Sequence, residues 1–217
     1  MKKNIKIFTD FDGTIALNDV GDTLFATFAD KACEQLILDW RDGLISSKEC
    51  LCQECALTYV TKDQLERFCD AQQIDPHFKE FVKFCEQNHY PIAVLSDGLD
   101  FYINRILENN GLGYLTVYAN KLIFENENKI RPEFPYYGKG CPNCANCKGY
   151  HVAQSHQDGE LIVFIGDGYS DRCGVEHADI IFAKDDLEKF CIENRSTHYN
   201  FNNFNDVLTK FTEVKGG

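Results

Sequence analysis

Short apolar runs separated by longer amphipathic stretches make up most of this chain. Three of the runs lie at residues 5–11, 91–95 and 161–165, each followed by a cluster of polar or turn-forming residues. Apolar runs of this length, rich in β-branched residues and bounded by turn residues, are typical of buried strands. The pattern therefore predicts at least three buried strands, widely spaced along the chain.

Helical periodicity fills the interval between the first and second of these strands. Apolar positions recur at helical spacing in residues 31–41, 46–59 and 61–72. Ser46, with Glu49 three residues later, has the spacing of a capping box, which predicts a helix start. The interval is far longer than a usual strand-to-helix connection. We therefore predict that residues 15–85 form an inserted helical cap.

Strands and helices alternate through the rest of the chain. Helices are expected near 101–108, 148–154 and 185–193, and further strands within 115–130 and at 179–183. This alternation predicts an α/β fold with a Rossmann-like, mostly parallel sheet. The core would comprise residues 1–14 and 86–217.

Composition narrows the class of protein. The chain has 217 residues, of which 44% are hydrophobic and 26% charged, so it has the composition of a globular domain. Its net charge of −12 argues against a nucleic-acid or anionic-membrane partner, which would require a basic face. No apolar run is long enough to span a membrane, and the first residues lack the apolar stretch of a signal peptide. We expect a cytoplasmic protein.

Carboxylates and small polar residues follow each of the three apolar strands. Asp10 and Asp12 end the first, Ser96-Asp97-Gly98 ends the second, and Asp167 with Asp171 follows the third. In an open α/β sheet, ligands bind at the carboxyl ends of the strands. Carboxylates held close together repel one another unless a cation intervenes, and a hard divalent ion is the simplest remedy. The sequence therefore predicts one acidic, metal-binding site.

Each of these residues also has a simpler interpretation. Asp12 and Gly13 could form an ordinary turn, Asp171 could cap a helix, and Lys148 could be an exposed lysine at a helix start. Asp19 could likewise be a helix N-cap. Only their combination, in order along the chain, favours a common site.

Taken together, the clusters resemble the motifs of the haloacid dehalogenase superfamily of aspartate-nucleophile phosphatases. Residues 10–14 match the first motif, Asp-x-Asp-x-Thr, and Ser96 matches the second, a Ser or Thr that closes a strand. Lys148 matches the lysine of the third motif, and Asp167 and Asp171 match the acidic fourth. The resemblance extends over nearly the whole chain and implies a phosphatase of a small phosphorylated metabolite.

The resemblance also implies a role for each residue. Asp10 would be the nucleophile that forms an aspartyl-phosphate, and Asp12 would protonate the leaving alkoxide and then activate water. Mg²⁺ would be bound by the Asp10 carboxylate, the Asp12 backbone carbonyl and Asp167, with Asp171 steadying these ligands. The phosphate oxygens would be held by Ser96, Asp97, Gly98 and Lys148.

The helical insertion is similar to that of the phosphoserine-phosphatase-like branch. This likeness implies that Asp19, nine positions after Asp10, contacts the substrate. The position of the branch's carboxylate-binding arginine falls near Glu54, where an acidic side chain would repel phosphoserine. Segments 40–46, 166–171 and 178–183 resemble the methionine-salvage phosphatases of 2-hydroxy-3-keto-5-methylthiopentenyl-1-phosphate.

Other substrates and a different class of function stay open at this point. The Cys-Lys-Gly turn at 147–149 is shared with phosphocholine/phosphoethanolamine and pyridoxal-phosphate phosphatases. A non-catalytic module of the same fold that only binds a phosphorylated ligand is the alternative from another class. The oligomeric state has no signature in the sequence.

A cysteine-rich segment just before the predicted helix at 148 suggests a second metal. Cys141, Cys144 and Cys147 are evenly spaced, and His151 follows four residues later. Three thiolates and one imidazole are a donor set for tetrahedral zinc, so a structural Zn²⁺ is one interpretation. Three unliganded thiols in a loop are the other, while a disulfide is disfavoured in a reducing compartment.

Overall fold

One seven-stranded sheet lies at the centre of the described chain. The structure, a computed structural model, describes residues 4–155 and 160–216. The strands are β1 (Asn4–Thr9), β2 (Ile92–Leu99), β3 (Thr116–Phe124), β4 (Ile130–Glu133), β5 (Glu160–Gly166), β6 (Ile180–Ala183) and β7 (Tyr199–Asn200). Their order is β4-β3-β2-β1-β5-β6-β7, and every neighbouring pair is parallel except the β3–β4 hairpin. The predicted α/β fold with a mostly parallel sheet is confirmed.

Helices connect the strands and cover the sheet. They are α1 (Val20–Phe28), α2 (Cys33–Arg41), α3 (Ser47–Leu57), α4 (Lys62–Asp70), α5 (Phe78–Asn88), α6 (Asp100–Asn109), α7 (Lys148–Ser155), α8 (Arg172–Val175), α9 (Asp185–Glu193) and α10 (Phe204–Gly216). Among the residues described, no helix is long and apolar enough to cross a membrane.

Alternating side chains of the central strands form cores on both faces of the sheet. Ile7 on β1 and Val163 on β5 belong to one buried cluster, whereas Phe8 and Phe164 belong to the other. Successive residues of a strand point to opposite faces, so a strand buried on both sides is apolar throughout. This explains the continuous apolar runs in the sequence.

Helices α1 to α4 form an excursion from the sheet between β1 and β2. The chain returns beside its point of departure, where Ala16 bridges Ile74 and the Asp75 N–H donates to the Ile15 carbonyl at 2.8 Å. Helix α5 then packs on α10, with the Phe78 and Phe204 rings 4.7 Å apart. The division at residues 15–85 stays a prediction, and this packing favours a cap that ends before α5.

The ends of the strands differ slightly from the sequence prediction. Strand β1 ends at Thr9, so Asp10 and Asp12 lie in the loop that follows it and not within the strand. Strand β7 and helix α10 were not predicted at all. The short loop after β1 is what lets both carboxylates reach the same edge of the sheet.

Candidate active site

Asp10 occupies the first position after the central strand. Its N–H donates to the Ile165 carbonyl of β5 at 2.9 Å, which continues the ladder one residue beyond β1 and fixes the backbone. Gly13 lies in the turn that follows, with a positive φ of 69°, and a Cβ there would clash with the Asp167 carboxylate. Glycine is therefore needed both for the turn and for the close approach of the two loops.

Lys148 is the cation of the site and is almost fully buried. It lies at the start of α7, and its Nζ is 2.6 Å from Asp10 Oδ1 and 2.6 Å from Asp171 Oδ1. The ammonium also donates to Ser170 Oγ at 3.0 Å. The interpretation of Lys148 as an exposed lysine is wrong, because its side chain is only 1% exposed. Burial alone would lower the pKa of Lys148, but the charges of Asp10 and Asp171 together outweigh it and raise the pKa, so the ammonium stays charged.

Asp167 and Asp171 follow β5 and complete a group of three carboxylates with Asp10. One carboxylate oxygen from each lies within 4.8 Å of the others. Thr14 donates its hydroxyl to Asp167 Oδ1 at 2.5 Å. Asp171 Oδ2 accepts the N–H groups of Asp167 and Gly168 at 3.0 and 2.9 Å. Asp171 thus both caps the local turn, as the simpler interpretation held, and pairs with Lys148.

Asp12 faces the cavity and is held by the cap and by α6. Its Oδ2 accepts from the Tyr102 hydroxyl at 2.8 Å and from Ser96 Oγ at 3.3 Å, and its Oδ1 accepts the Val20 N–H at 3.0 Å. Burial, and then the charge of Asp19, raises the pKa of Asp12 to about 7. A carboxyl with this pKa can both donate and accept a proton near neutral pH.

The end of β2 supplies a hydroxyl and backbone groups. Ser96 is 1% exposed, and its Oγ accepts the Gly98 N–H at 2.9 Å. The Asp97 side chain is directed elsewhere: its Oδ1 accepts the Asn146 N–H at 2.6 Å, and its backbone carbonyl accepts from Asn120 at 2.7 Å. The carboxylate of Asp97 therefore anchors the cysteine-rich segment.

Asp10, Asp12, Ser96 and Asp167 line a cavity of about 840 Å³ between the sheet edge and the cap. Lys148 and Asp171 are buried beside Asp10 and are not part of the cavity lining. Cap residues contribute the opposite wall: Asp19, Asp22, Trp40, Arg41 and Glu54. Asp19 Oδ1 accepts the Asp22 N–H at 2.8 Å, so its interpretation as an N-cap is confirmed, and it faces the cavity as well.

The donor set of the site fits a hard divalent cation. The carboxylates of Asp10, Asp167 and Asp171 lie together, and among the described residues the one ammonium that contacts this group is that of Lys148, which pairs with Asp10 and Asp171. Three carboxylates with one paired ammonium leave an excess of negative charge within this group. Burial, with the charge of Asp171, raises the pKa of Asp10 well above its ordinary value, which reflects this uncompensated charge. Mg²⁺ binds to oxygen ligands, and a cluster of carboxylate oxygens with excess negative charge provides them.

The structure adds residues that the sequence patterns did not reveal. Tyr102 is a buried residue of α6 for which the sequence analysis predicts no role in the site, yet its hydroxyl donates to Asp12. Arg41, at the end of α2, reaches the cavity.

In the cysteine-rich segment the outcome differs from the prediction. His151 is not part of the thiol group, because its Nε2 pairs with Asn146 Oδ1 at 2.6 Å and its ring packs on Tyr118. Cys173 joins Cys141, Cys144 and Cys147 in its place.

Comparisons with known proteins identify the family and the fold. A model of the haloacid dehalogenase-like hydrolase family matches residues 7–176. A 2-hydroxy-3-keto-5-methylthiopentenyl-1-phosphate phosphatase of Bacillus cereus is 28% identical over 217 residues, covering 98% of each chain. A solved structure of a phospho-aspartyl intermediate analogue of phosphoserine phosphatase has a TM-score of 0.74 at 20% identity, covering 97% of this chain and 99% of that one. A substrate-bound phosphoserine phosphatase has a TM-score of 0.73 with the same identity and coverage.

Proposed function

The chain belongs to the haloacid dehalogenase-like hydrolase family and is a phosphatase, and we propose that it hydrolyses a small phosphomonoester through an aspartyl-phosphate on Asp10. One observation carries this proposal. Asp10 lies at the carboxyl end of the central strand, 2.6 Å from buried Lys148 and beside Asp167 and Asp171, at the base of the cavity. Phosphoryl transfer needs a positioned nucleophile and compensation of the phosphate charge, and this arrangement offers both.

Asp10 and Asp12 would divide the nucleophilic and proton-transfer work. Asp10 would attack phosphorus and release the substrate alkoxide, to which Asp12 would give its proton. Asp12 would then take a proton from the water that hydrolyses the aspartyl-phosphate. Asp12 accepts hydrogen bonds from the Tyr102 hydroxyl at 2.8 Å and from the Val20 N–H at 3.0 Å, and these two bonds would hold its carboxyl group in position for both steps.

Asp10, Asp167 and the Asp12 backbone carbonyl would hold a Mg²⁺ ion, which would supply positive charge for the phosphate oxygens. Asp171 would act through other groups, because its oxygens already pair with Lys148 and two backbone N–H groups. Lys148 and the Ser96 hydroxyl would contact the phosphate, together with backbone N–H groups at Asp97 and Gly98. We assign no phosphate contact to the Asp97 carboxylate, which is held by Asn146.

For the substrate, we propose 2-hydroxy-3-keto-5-methylthiopentenyl-1-phosphate. The relatives with full-length similarity carry that name at 28% identity. The cap wall supports the choice, because Glu54 is buried there and burial, with the charge of Asp22, raises its pKa to about 8. A protonated Glu54 would donate a hydrogen bond to a keto or hydroxyl oxygen, and a charged one would repel the carboxylate of phosphoserine.

A second candidate substrate class is the phosphate of an amino alcohol, such as phosphoethanolamine or phosphocholine. Asp19, Asp22 and the Trp40 indole lie on the same wall of the cavity. Carboxylates and an indole face are groups that bind an ammonium. The two candidates differ in what the cap would recognise, while the chemistry at Asp10 would be the same.

A panel of substrates with Mg²⁺ tests the proposal. The wild-type protein should hydrolyse a generic aryl phosphate, lose this activity on chelation, and show its highest kcat/KM with the enol-phosphate. Asp19→Asn should lower kcat/KM for phosphoethanolamine far more than for the aryl phosphate if the amino-alcohol class is correct. No hydrolysis of any member with Mg²⁺ present would leave a binding module as the explanation.

A further inference from the structure

Four cysteine thiols meet near the start of α7, and none of them lines the substrate cavity. Cys141, Cys144 and Cys147 come from the segment before α7, and Cys173 comes from α8. Their sulfur atoms all lie within 4.8 Å of one another. Two elements separated along the chain by β5 therefore contribute to a single cluster.

We propose that these four thiols bind one structural zinc ion. A tetrahedral zinc with Zn–S bonds of about 2.3 Å holds its sulfurs roughly 3.8 Å apart, so small side-chain movements would close this cluster around the ion. Four thiolates are soft ligands that select zinc over magnesium. With all four positions filled by protein, the ion would have no open site for substrate. The cluster shares no residue with the group formed by Asp10, Asp167 and Asp171.

The backbone around the cluster is built to bring the two elements together. Gly149 in α7 lies against α8, and a Cβ there would be 2.5 Å from the Cys173 carbonyl oxygen and 3.2 Å from its Cβ. Any larger residue would push Cys173 away from Cys147. The close approach at Gly149 is thus a condition for a shared metal site.

Asn146 fixes the cysteine-rich segment from the other side. Its side-chain amide donates to the carbonyls of Ser96 and Tyr118 at 2.9 and 3.0 Å, and its Oδ1 pairs with His151. His151 therefore supports the segment through Asn146 and is not needed as a ligand. The loop also reaches the cap, where Asn143 accepts the Ser47 N–H at 2.9 Å.

The zinc ion would hold the Lys148 side chain in position in the active site. Lys148 directly follows Cys147, and Asp171 lies two residues before Cys173. Because the Lys148 and Asp171 side chains pair at 2.6 Å, one ion would fix the backbones at both ends of this pair. A flexible lysine holds a point charge in place only when its surroundings restrain it. This consequence rests on the proposed function, whereas zinc binding itself does not.

Elemental analysis of protein purified without chelator tests the site directly. About one zinc per chain is expected, since a closed site of four thiolates holds a single ion. Cys144→Ser and Cys173→Ser should both lose the zinc, whereas Cys52→Ser in the cap should keep it. Circular dichroism would establish that each variant is folded. Absence of zinc from the wild-type protein, or iron in its place, would overturn the proposal.

His151→Gln separates the four-thiolate site from one that uses the imidazole. This variant should retain its zinc, and Co²⁺ reconstituted into it should give the intense visible spectrum of a tetrahedral thiolate complex. Loss of zinc from folded His151→Gln together with retention in Cys173→Ser would contradict the assignment of Cys173. If a cysteine variant does not fold, Co²⁺ reconstitution of the wild-type protein decides the thiolate count by itself.

The link to Lys148 has its own test. Wild-type protein stripped of both metals should regain little aryl-phosphate turnover with Mg²⁺ alone and recover it when zinc is also returned. Full recovery with Mg²⁺ alone would show that the ion does not support Lys148 and Asp171. Because zinc content is measured without any activity assay, failure of the zinc site and failure of the phosphatase proposal are distinguishable.

Discussion

Lys148 is buried between two carboxylates at the start of α7. Its Nζ pairs with Asp10 and Asp171 at 2.6 Å and is 1% exposed. Removing charges from water is expensive, and only close pairing with good geometry repays this cost. The lysine therefore balances the acidic cluster, and in the proposed reaction it would also provide a cation for the phosphate.

Lys148→Ala should reduce both stability and turnover. Breaking a buried ion pair by removing one partner typically costs about 3–5 kcal/mol, because the remaining charge is uncompensated. Loss of a group that stabilises charge in the transition state typically lowers kcat by roughly 10²–10³. Urea unfolding and steady-state kinetics measure the two effects.

Lys210→Ala is the matched control for this variant, because its pair with Glu213 is exposed. Surface pairs contribute only about 0–1 kcal/mol, so the control should unfold almost like the wild-type protein. Equal stability of Lys148→Ala and Lys210→Ala would contradict the account of the buried lysine.

Individual residues were predictable from sequence where their order along the chain was informative. The motif order predicts a common site for Asp10, Asp12, Lys148, Asp167 and Asp171. In the structure Asp10, Asp12 and Asp167 line one cavity, and buried Lys148 and Asp171 lie directly beside Asp10. The roles proposed for them stay predictions.

The contact partners of two residues, Tyr102 and Cys173, could not be predicted from local sequence patterns. Tyr102 is far along the chain from its partner Asp12, and Cys173 is isolated in the sequence from the other three thiols. Long-range pairing of this kind depends on how α6 and α8 pack, which periodicity does not encode.

The N-terminal cap of helix α3 determines which of its side chains face the cavity. The capping box of α3 is confirmed, with the Glu49 N–H donating to Ser46 Oγ at 3.2 Å and Glu49 accepting the Ser46 N–H at 2.9 Å. This start fixes the rotation of α3, which turns Glu54 towards the cavity and its neighbours Asp19 and Asp22. The burial of Glu54 then makes the stability of the protein depend on pH.

Glu54→Gln should flatten that pH dependence. Burial raises the pKa of Glu54 from 4.5 to about 8, so between these values the folded protein keeps a proton that the unfolded chain releases. The free energy of unfolding of the wild-type protein therefore falls as pH rises through this window, by up to about 1.4 kcal/mol per pH unit from this residue. Glutamine does not titrate. Urea unfolding at several pH values should show Glu54→Gln gaining stability relative to wild type towards pH 8, and a constant difference would disprove the buried-carboxyl account.

The sequence predicts elements with a long apolar pattern well, whereas it misses elements with a short one. Strands β1, β2 and β5 are apolar on both faces, and the helix predicted at 185–193 has those bounds in the structure. Strand β7 has only two residues, and α10 begins in an Asn-rich stretch that reads as a loop. Such elements depend on tertiary packing and carry little local signal.

At the scale of the whole molecule, one face of the sheet is closed by α5 and α10. Phe204 is fully buried and packs on Phe78 and Phe81 with ring centroids 4.7 and 5.2 Å away. Its N–H donates to Asp75 Oδ2 at 3.0 Å, which ties the C-terminal helix to the point where the chain returns from α4. The last helix thus stabilises the fold that presents the site without contributing to the cavity wall.

Phe204→Ala should therefore separate stability from catalysis. Deleting a buried phenylalanine side chain costs about 3–5 kcal/mol. The free energy of unfolding should fall by this amount, while kcat at a temperature where the variant is folded should stay close to wild type. A large fall in kcat of the folded variant would mean that α10 influences the site directly.

In the proposed reaction, Asp10 carries the phosphoryl group. Rapid acid quenching of the wild-type enzyme during turnover, borohydride reduction and peptide mass spectrometry locate an acyl phosphate directly. The account predicts that the label appears at residue 10, that Asp12→Asn still forms it but hydrolyses it slowly, and that Asp10→Asn folds yet neither forms it nor turns over. A fully active Asp10→Asn, or an acyl phosphate on another carboxylate, would contradict the account.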